Sequence, residues 1–177
     1  MRKISFIFTL ALLTSCVEVS GEQKVQEVES MIIQLDSLET RSRELSIENL
    51  SEITEWGDTL DARIRKLFKP VPFNIGKQIV TFTELKGELS VFNTTDTLIT
   101  KQLIIQKSQL VNLKTDIENG SGSRGQYDQY ISKEQANIKQ IEGLINKRDS
   151  ARIRIISNFN ELKSNLDSNL NVILSNE

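Results

Sequence analysis

Apolar residues recur at seven-residue intervals along most of this 177-residue chain, and that repeat constrains its fold more than any other feature. In the last third, Ile131, Ile138, Ile145, Phe159, Leu166 and Ile173 share one heptad position. Tyr127, Ile141, Ile155 and Leu162 share the position three or four residues away. The middle third repeats the pattern with Ile75, Phe82, Leu89, Leu103, Leu110 and Ile117, and with a companion row of Leu85, Phe92, Ile99 and Leu113. Rows of this spacing form one apolar stripe along an α-helix. The clusters Ile79-Val80-Thr81 and Ile104-Ile105 favour strands locally. The 3.5-residue period runs through both clusters, so helix is expected there. The first third is less regular. Val25, Val28, Ile32 and Leu35 begin a stripe, and Ile53, Trp56, Leu60, Ile64 and Leu67 finish it. Between them Glu39, Ser42, Ser46 and Asn49 hold the inward positions, flanked by Leu38, Leu45 and Leu50. Asp36 or Ser37 offers a cap for a helix restart, but a continuous helix is the simpler reading.

Only two stretches punctuate the pattern. Pro70 and Pro72 cannot continue a helix, and each biases the residue before it towards extended geometry. Asn119-Gly120-Ser121-Gly122-Ser123-Arg124-Gly125 reads as a loop, with Gly120 placed to end a helix. Helices are therefore expected at about 24–69, 74–119 and 126–175, each about 67 Å long. Short connections make neighbours antiparallel, and the heptad period gives a left-handed supercoil. The expected fold is all-α, an elongated antiparallel three-helix bundle with coiled-coil packing. Asn93-Thr94-Thr95-Asp96 is its weak point, either a kink or a cap that restarts the helix.

Composition argues against most chemistry. The chain has no His, the commonest general base and metal ligand. Its only thiol is Cys16, so an internal disulfide is excluded and thiolate metal sites are not expected. Lys+Arg total 22 against 24 Asp+Glu, a formal net charge of −2, which is not the footprint of a nucleic-acid binder. The Glu pairs on these helices read as a solvated face. Neither a metal, a cofactor nor an enzymatic activity is expected.

The first residues differ from the rest. Arg2 and Lys3 precede the apolar run Ile4–Leu13, which ends at Leu13-Thr14-Ser15-Cys16. A basic start, a short apolar core and small residues before the cut describe a secretory signal peptide. The run is too short for a spanning helix, which needs about 20 residues. Its end resembles a bacterial lipobox. That resemblance implies cleavage before Cys16, lipidation of Cys16 and attachment to a membrane through that lipid. The expected organisation is a signal peptide at 1–15, a lipidated tether at 16–23 and a helical bundle at 24–177.

Folding the three stripes back at their turns aligns their polar interruptions. Arg148 falls opposite Asp96, with Arg152 one turn away. Asp96 in turn falls beside Glu48 and Asn49 in the gap of the first helix. Asp96, Arg148, Arg152, Glu48 and Asn49 are thus expected to form one polar layer. Such a layer sets register in a coiled coil. Alternatively, its two arginines hold a small anion or a peptide carboxylate. Trp56, the only Trp, fits the inward row and is expected in the core. Arg63, Arg65, Lys66 and Lys69 complement the end of the first helix's dipole.

Asp followed by Ser or Thr recurs at Asp36-Ser37, Asp58-Thr59, Asp96-Thr97 and Asp149-Ser150, each before a small or aliphatic residue. The pattern resembles the O-glycosylation acceptor of exported Bacteroidota proteins, implying Ser37, Thr59, Thr97 and Ser150 as acceptors. Ordinary helical Asp-Ser/Thr dipeptides are the competing explanation. The lipobox, the heptad helices and the stretch Gln109–Gly120 followed by Tyr127, Tyr130 and Glu134 together resemble small helical lipoproteins of the Bacteroidota. The resemblance brings no catalytic or binding residues. It implies an outer-membrane anchor. Val17-Glu18-Val19-Ser20-Gly21-Glu22 fits poorly with a Lys- and acid-rich surface-export signal, so a periplasm-facing anchor is expected. The functional expectation is a non-enzymatic spacer, scaffold or protein-interaction module with a protein partner. The alternative is a small-ligand or peptide-binding protein that uses the polar layer.

Overall fold

The computed structural model describes residues 21–44, 48–66 and 70–175. Residues 1–20, which include the expected signal peptide, Cys16 and most of the tether, lie outside the described residues. Among those described, 94% are helical and none is in a strand. Four helices pack together: α1 (Gly21–Glu44), α2 (Glu48–Ile64), α3 (Phe73–Asn119) and α4 (Tyr127–Ser175). A 3₁₀ turn at Arg124–Gln126 leads into α4.

Four helices are described where three are expected from the sequence. In α1 the buried rows are Val28-Leu35-Ser42 and Lys24-Met31-Leu38. Val25 and Ile32, expected inward, lie only partly buried at the flank. In α2 the inward rows are Ile53-Leu60 and Leu50-Gly57-Ile64, with Trp56 beside them. Counted in heptads, the second pair of rows is one residue out of step with the first. α1 is described to Glu44 and α2 from Glu48, and residues 45–47 between them lie outside the described residues.

The long helices follow the expected stripes. All ten stripe residues of α3 are buried. In α4, Tyr127, Ile131, Ile138, Ile141, Ile145, Ile155, Phe159 and Leu166 are buried, while Leu162 and Ile173 are partly so. No break occurs at Asn93–Asp96. The hydroxyls of Thr94, Thr95, Thr97 and Thr100 donate to the carbonyls of Ser90, Val91, Asn93 and Asp96 at 2.9–3.0 Å. Hydroxyls bonded back to the preceding turn in this way do not compete for a cap.

The helix ends use the expected punctuation. Pro72 precedes α3 at φ −55°, ψ 145°, and its carbonyl accepts from the N–H groups of Ile75 and Gly76. After Asn119, Gly120 turns left-handed at φ 62°, where a Cβ would be strained. Its N–H and that of Ser121 return to the carbonyls of Ile117 and Asp116. Glycine-ended helices commonly satisfy their last carbonyls so. The Tyr127 hydroxyl closes the loop by donating to the Asp116 carbonyl at 3.0 Å.

Contacts between helices set their directions. Gln106 meets Glu134, Asp96 meets Arg148, Glu88 meets Arg154 and Gln78 meets Asn169, so α3 and α4 run in opposite directions. Lys114 pairs with Glu29 and Lys107 with Asp36, each at 2.6 Å, so α1 also opposes α3. Two apolar cores result. One joins α1 to the second half of α3 and the first half of α4. The other joins α2 to the first half of α3 and the second half of α4. Trp56 lies in the second, edge-on to Phe82 (centroids 4.9 Å apart) and Phe159 (5.6 Å), with its indole N–H 3.3 Å from Asp167.

Candidate functional site

The polar layer lies where the two cores meet. In each contributing helix one polar residue replaces an apolar one in an otherwise apolar row. Ser42 follows Val28 and Leu35 in α1, Asp96 stands between Leu89 and Leu103 in α3, and Arg148 stands between Ile141 and Ile155 in α4. The heptad repeat therefore turns all three inward at one level.

Arg148 is the centre of the layer, its side chain 0% exposed. Nη1 donates to Asp96 Oδ1 at 2.5 Å and to Ser42 Oγ at 2.8 Å. Nη2 and Nε both donate to Asp149 Oδ1, at 3.0 and 3.3 Å. The other Asp149 oxygen accepts from Arg41 Nη2 at 2.6 Å. Two guanidinium groups thus face two carboxylates, and the charge closes within the group. A buried charge requires such pairing, because desolvation without it costs several kcal/mol.

The expected members of the layer have separate fates. Asp96 and Arg148 meet as expected. Arg152, one turn along, makes no contact with Asp96, and its buried Nε has no hydrogen-bond partner. Glu48 is the first residue of α2, but the side chains of Glu48 and Asn49 lie outside the described residues. Ser42 had been expected inward without a partner, and Arg41 had not been singled out at all. Asp149 was noted only as part of an Asp-Ser motif. Its place next to Arg148 in sequence was the available signal.

A second polar pair went unread. Gln106 takes the place of an apolar residue between Ile99 and Leu113, and it is buried. Its amide donates to Glu134 at 2.5 Å, and Asn137 donates to the same oxygen at 3.1 Å. Glu134 likewise interrupts the row of Tyr127 and Ile141. The same interruption test that located Asp96 and Arg148 would have found this pair.

The four hydroxyls of the Asp-Ser/Thr motif, on Ser37, Thr59, Thr97 and Ser150, belong to exposed residues in mid-helix. Those of Thr59, Thr97 and Ser150 donate to carbonyls four residues back. Three of the four Asp residues reach another helix: Asp36 to Lys107, Asp96 to Arg148 and Asp149 to Arg41. Inter-helix pairing accounts for those Asp positions without modification. Of the terminal cations, Arg63 binds Asp167 and also Asn171 at 2.9 Å, so it serves packing. Arg65 and Lys66 are exposed, and Lys69 lies outside the described residues.

A groove of about 440 Å³ runs between α3 and α4 beside the layer, lined by Val91, Phe92, Leu144 and Ala151 among others. Arg148 borders it, but its guanidinium is committed to Asp96, Asp149 and Ser42. No cluster of His, Cys, Asp and Glu suited to a metal is found among the described residues. None of the described helices is long and apolar enough to cross a membrane. No protein-family model, no curated protein and no solved structure matches the chain.

Proposed function

We propose that the protein is a lipid-anchored helical module of the cell envelope, acting as a spacer, scaffold or protein-interaction element and not as an enzyme. The signal peptide is cleaved before Cys16, and the lipid on Cys16 holds the chain at the outer membrane, facing the periplasm. In this reading α1 and α2 act end to end as the first arm of an antiparallel three-helix bundle with coiled-coil packing. The α3 and α4 arms, of 47 and 49 residues, then extend about 70 Å. The observation that carries the reading is Leu13-Thr14-Ser15-Cys16 after a short apolar run. The self-neutralised layer around Arg148 supports a structural role for the bundle's polar interior.

The test is metabolic acyl labelling with membrane fractionation. Wild-type protein takes up label and sediments with membranes, and a Cys16→Ser variant does neither. Wild-type protein that stays soluble with an unmodified Cys16 refutes the anchor.

One observation favours the alternative, a small-ligand or peptide-binding protein using the layer. Arg152 is a cation next to the layer whose buried Nε lacks an acceptor, and a carboxylate would supply one. This reading ranks second because Arg148, the layer's central cation, already has its acceptors.

A further inference from the structure

The end of the bundle where α2 gives way to α3 carries one sign of charge. Between Asp61 and Glu84 the sequence holds Arg63, Arg65, Lys66, Lys69 and Lys77 and no acid, in a chain whose formal net charge is −2. The end of α4 lies at the same level, since Gln78 meets Asn169 and Arg63 meets Asn171. From Leu162 to Ser175 the only acid of α4 is Asp167, and Arg63 takes it. Glu177 lies outside the described residues. Arg65, Lys66 and Lys77 are exposed, and their side chains make no ion pair among the described residues. Phe73, the first residue of α3, is at this end too, and at 90% it is the most exposed large apolar side chain described. Pro70, Pro72 and Asn74 beside it are exposed as well. The dipole of α2 accounts for Arg65 and Lys66 at its end. It does not account for Lys77, which sits near the positive end of α3, or for Phe73.

We propose that this end docks on an anionic lipid surface, with Phe73 entering the boundary of the acyl chains and Arg65, Lys66 and Lys77 meeting the lipid phosphates. Charge and size choose this occupant. Clustered Lys and Arg beside an exposed aromatic are what binding at an anionic headgroup layer calls for. The rest of the chain is acidic, so the field of such a surface draws this end towards it and repels the remainder. A protein partner fits less well. The end of three packed helices is about 20 Å across, on the order of 300–400 Å², whereas a standard protein interface takes about 800 Å² from each partner. Phe73 also protrudes at the tip, and a lipid surface yields to a protruding ring without a pocket shaped to receive it. The start of α1 and the start of α4 lie at the opposite end, where Lys24 pairs with Asp128 at 2.9 Å. The 47 residues of α3 set the two ends about 70 Å apart. The inference does not rest on the lipid anchor; where both hold, the chain meets lipid at both ends.

The test uses the full-length chain with Cys16→Ser, which takes no lipid of its own, and vesicles of phosphatidylcholine with or without phosphatidylglycerol. Residues 4–13 are an apolar run of their own, so the readout is confined to the tip. Phe73→Trp, a change at an exposed position, supplies it. Lipids brominated in their acyl chains should quench the new indole in vesicles that contain phosphatidylglycerol. The parent's only Trp, the buried Trp56, should stay unquenched. Replacing Arg65, Lys66 and Lys77 with Gln in the Phe73→Trp chain should raise the lipid concentration for half-maximal quenching at least about tenfold, since each basic residue near an anionic surface contributes about fivefold. Added salt should act in the same direction. No quenching at position 73, equal quenching by phosphatidylcholine alone, a triple-Gln chain quenched as readily, or a photocrosslinker at position 73 that captures only protein in cells would each overturn the proposal. Equal quenching of the parent would also overturn it, because the bundle would then have opened on the lipid.

Discussion

Removing the Asp96 carboxylate tests the polar layer most directly. In an Asp96→Ala chain, Arg148 loses its shortest contact, at 2.5 Å. Its guanidinium remains fully buried, but Asp149 and Ser42 still accept from it. Stranding a buried charge outright costs about 3–5 kcal/mol. Losing one hydrogen bond to a charged group costs about 1.5–3 kcal/mol. Asp149 retains part of the compensation, and the 20% exposure of Asp96 lets water approach. The expected loss is therefore about 2–3 kcal/mol, or a melting temperature lower by roughly 4–12 °C for a chain of this size. Replacing Asp96 and Arg148 together with Leu should cost less than the single change, because Asp149 keeps Arg41 at 2.6 Å and the two Leu join the adjacent cores. Urea unfolding measures both effects, read by circular dichroism for all helices and by Trp56 fluorescence for the core of α2. Coincident curves with an unchanged slope license the comparison. An Asp96→Ala loss under about 0.5 kcal/mol, the range of ordinary surface changes, would refute the argument. So would a double variant less stable than the single one.

Trp56→Ala should cost about 3–5 kcal/mol by emptying space between Phe82 and Phe159, measured by the same unfolding curves read by circular dichroism. A loss under about 1 kcal/mol would contradict the packing. The pH dependence tests the seam between α1 and α3. Hydrogen bonds that Lys107 and Lys114 donate to Asp36 and Glu29 raise these ammonium groups above their usual pKa. A raised folded-state value means that the stabilisation is present below the unfolded value, about 10.4, and is lost as pH rises through the folded values. A Lys107→Met/Lys114→Met chain should therefore lose less stability than wild type between about pH 10 and 12. Equal losses would show that these contacts do not stabilise the fold.

The buried rows of α3 and α4 were legible because burial repeats with the helix, and a repeat needs no knowledge of the neighbours. The two turns were equally legible, because Pro70, Pro72 and Gly120 act through their own backbone geometry. Counting residues back from those turns also brought Asp96 to the level of Arg148. It set Arg152 only one turn, about 5.4 Å, from Arg148, a difference that the single loop between α3 and α4 can absorb. The one-position slip of the stripe between Leu38 and Leu50 was not legible, because the stretch between them carries few apolar residues to follow.

The amino-acid order by itself thus determined that this chain is helical, where its long helices end, which sides face inward and where polar residues enter the core. Those properties follow from local backbone preference and from the helical period. Only the tertiary structure decided that Arg148 takes Asp96, Ser42 and Asp149 together, that Arg41 closes the group, and that Gln106 meets Glu134. A side chain's partners are set by distances between helices, which no single helix encodes. Only the packed structure, too, separated the outward row Val91-Leu98-Ile105 from the inward one. Both rows carry the same seven-residue period, and only the position of the neighbouring helices tells which is covered.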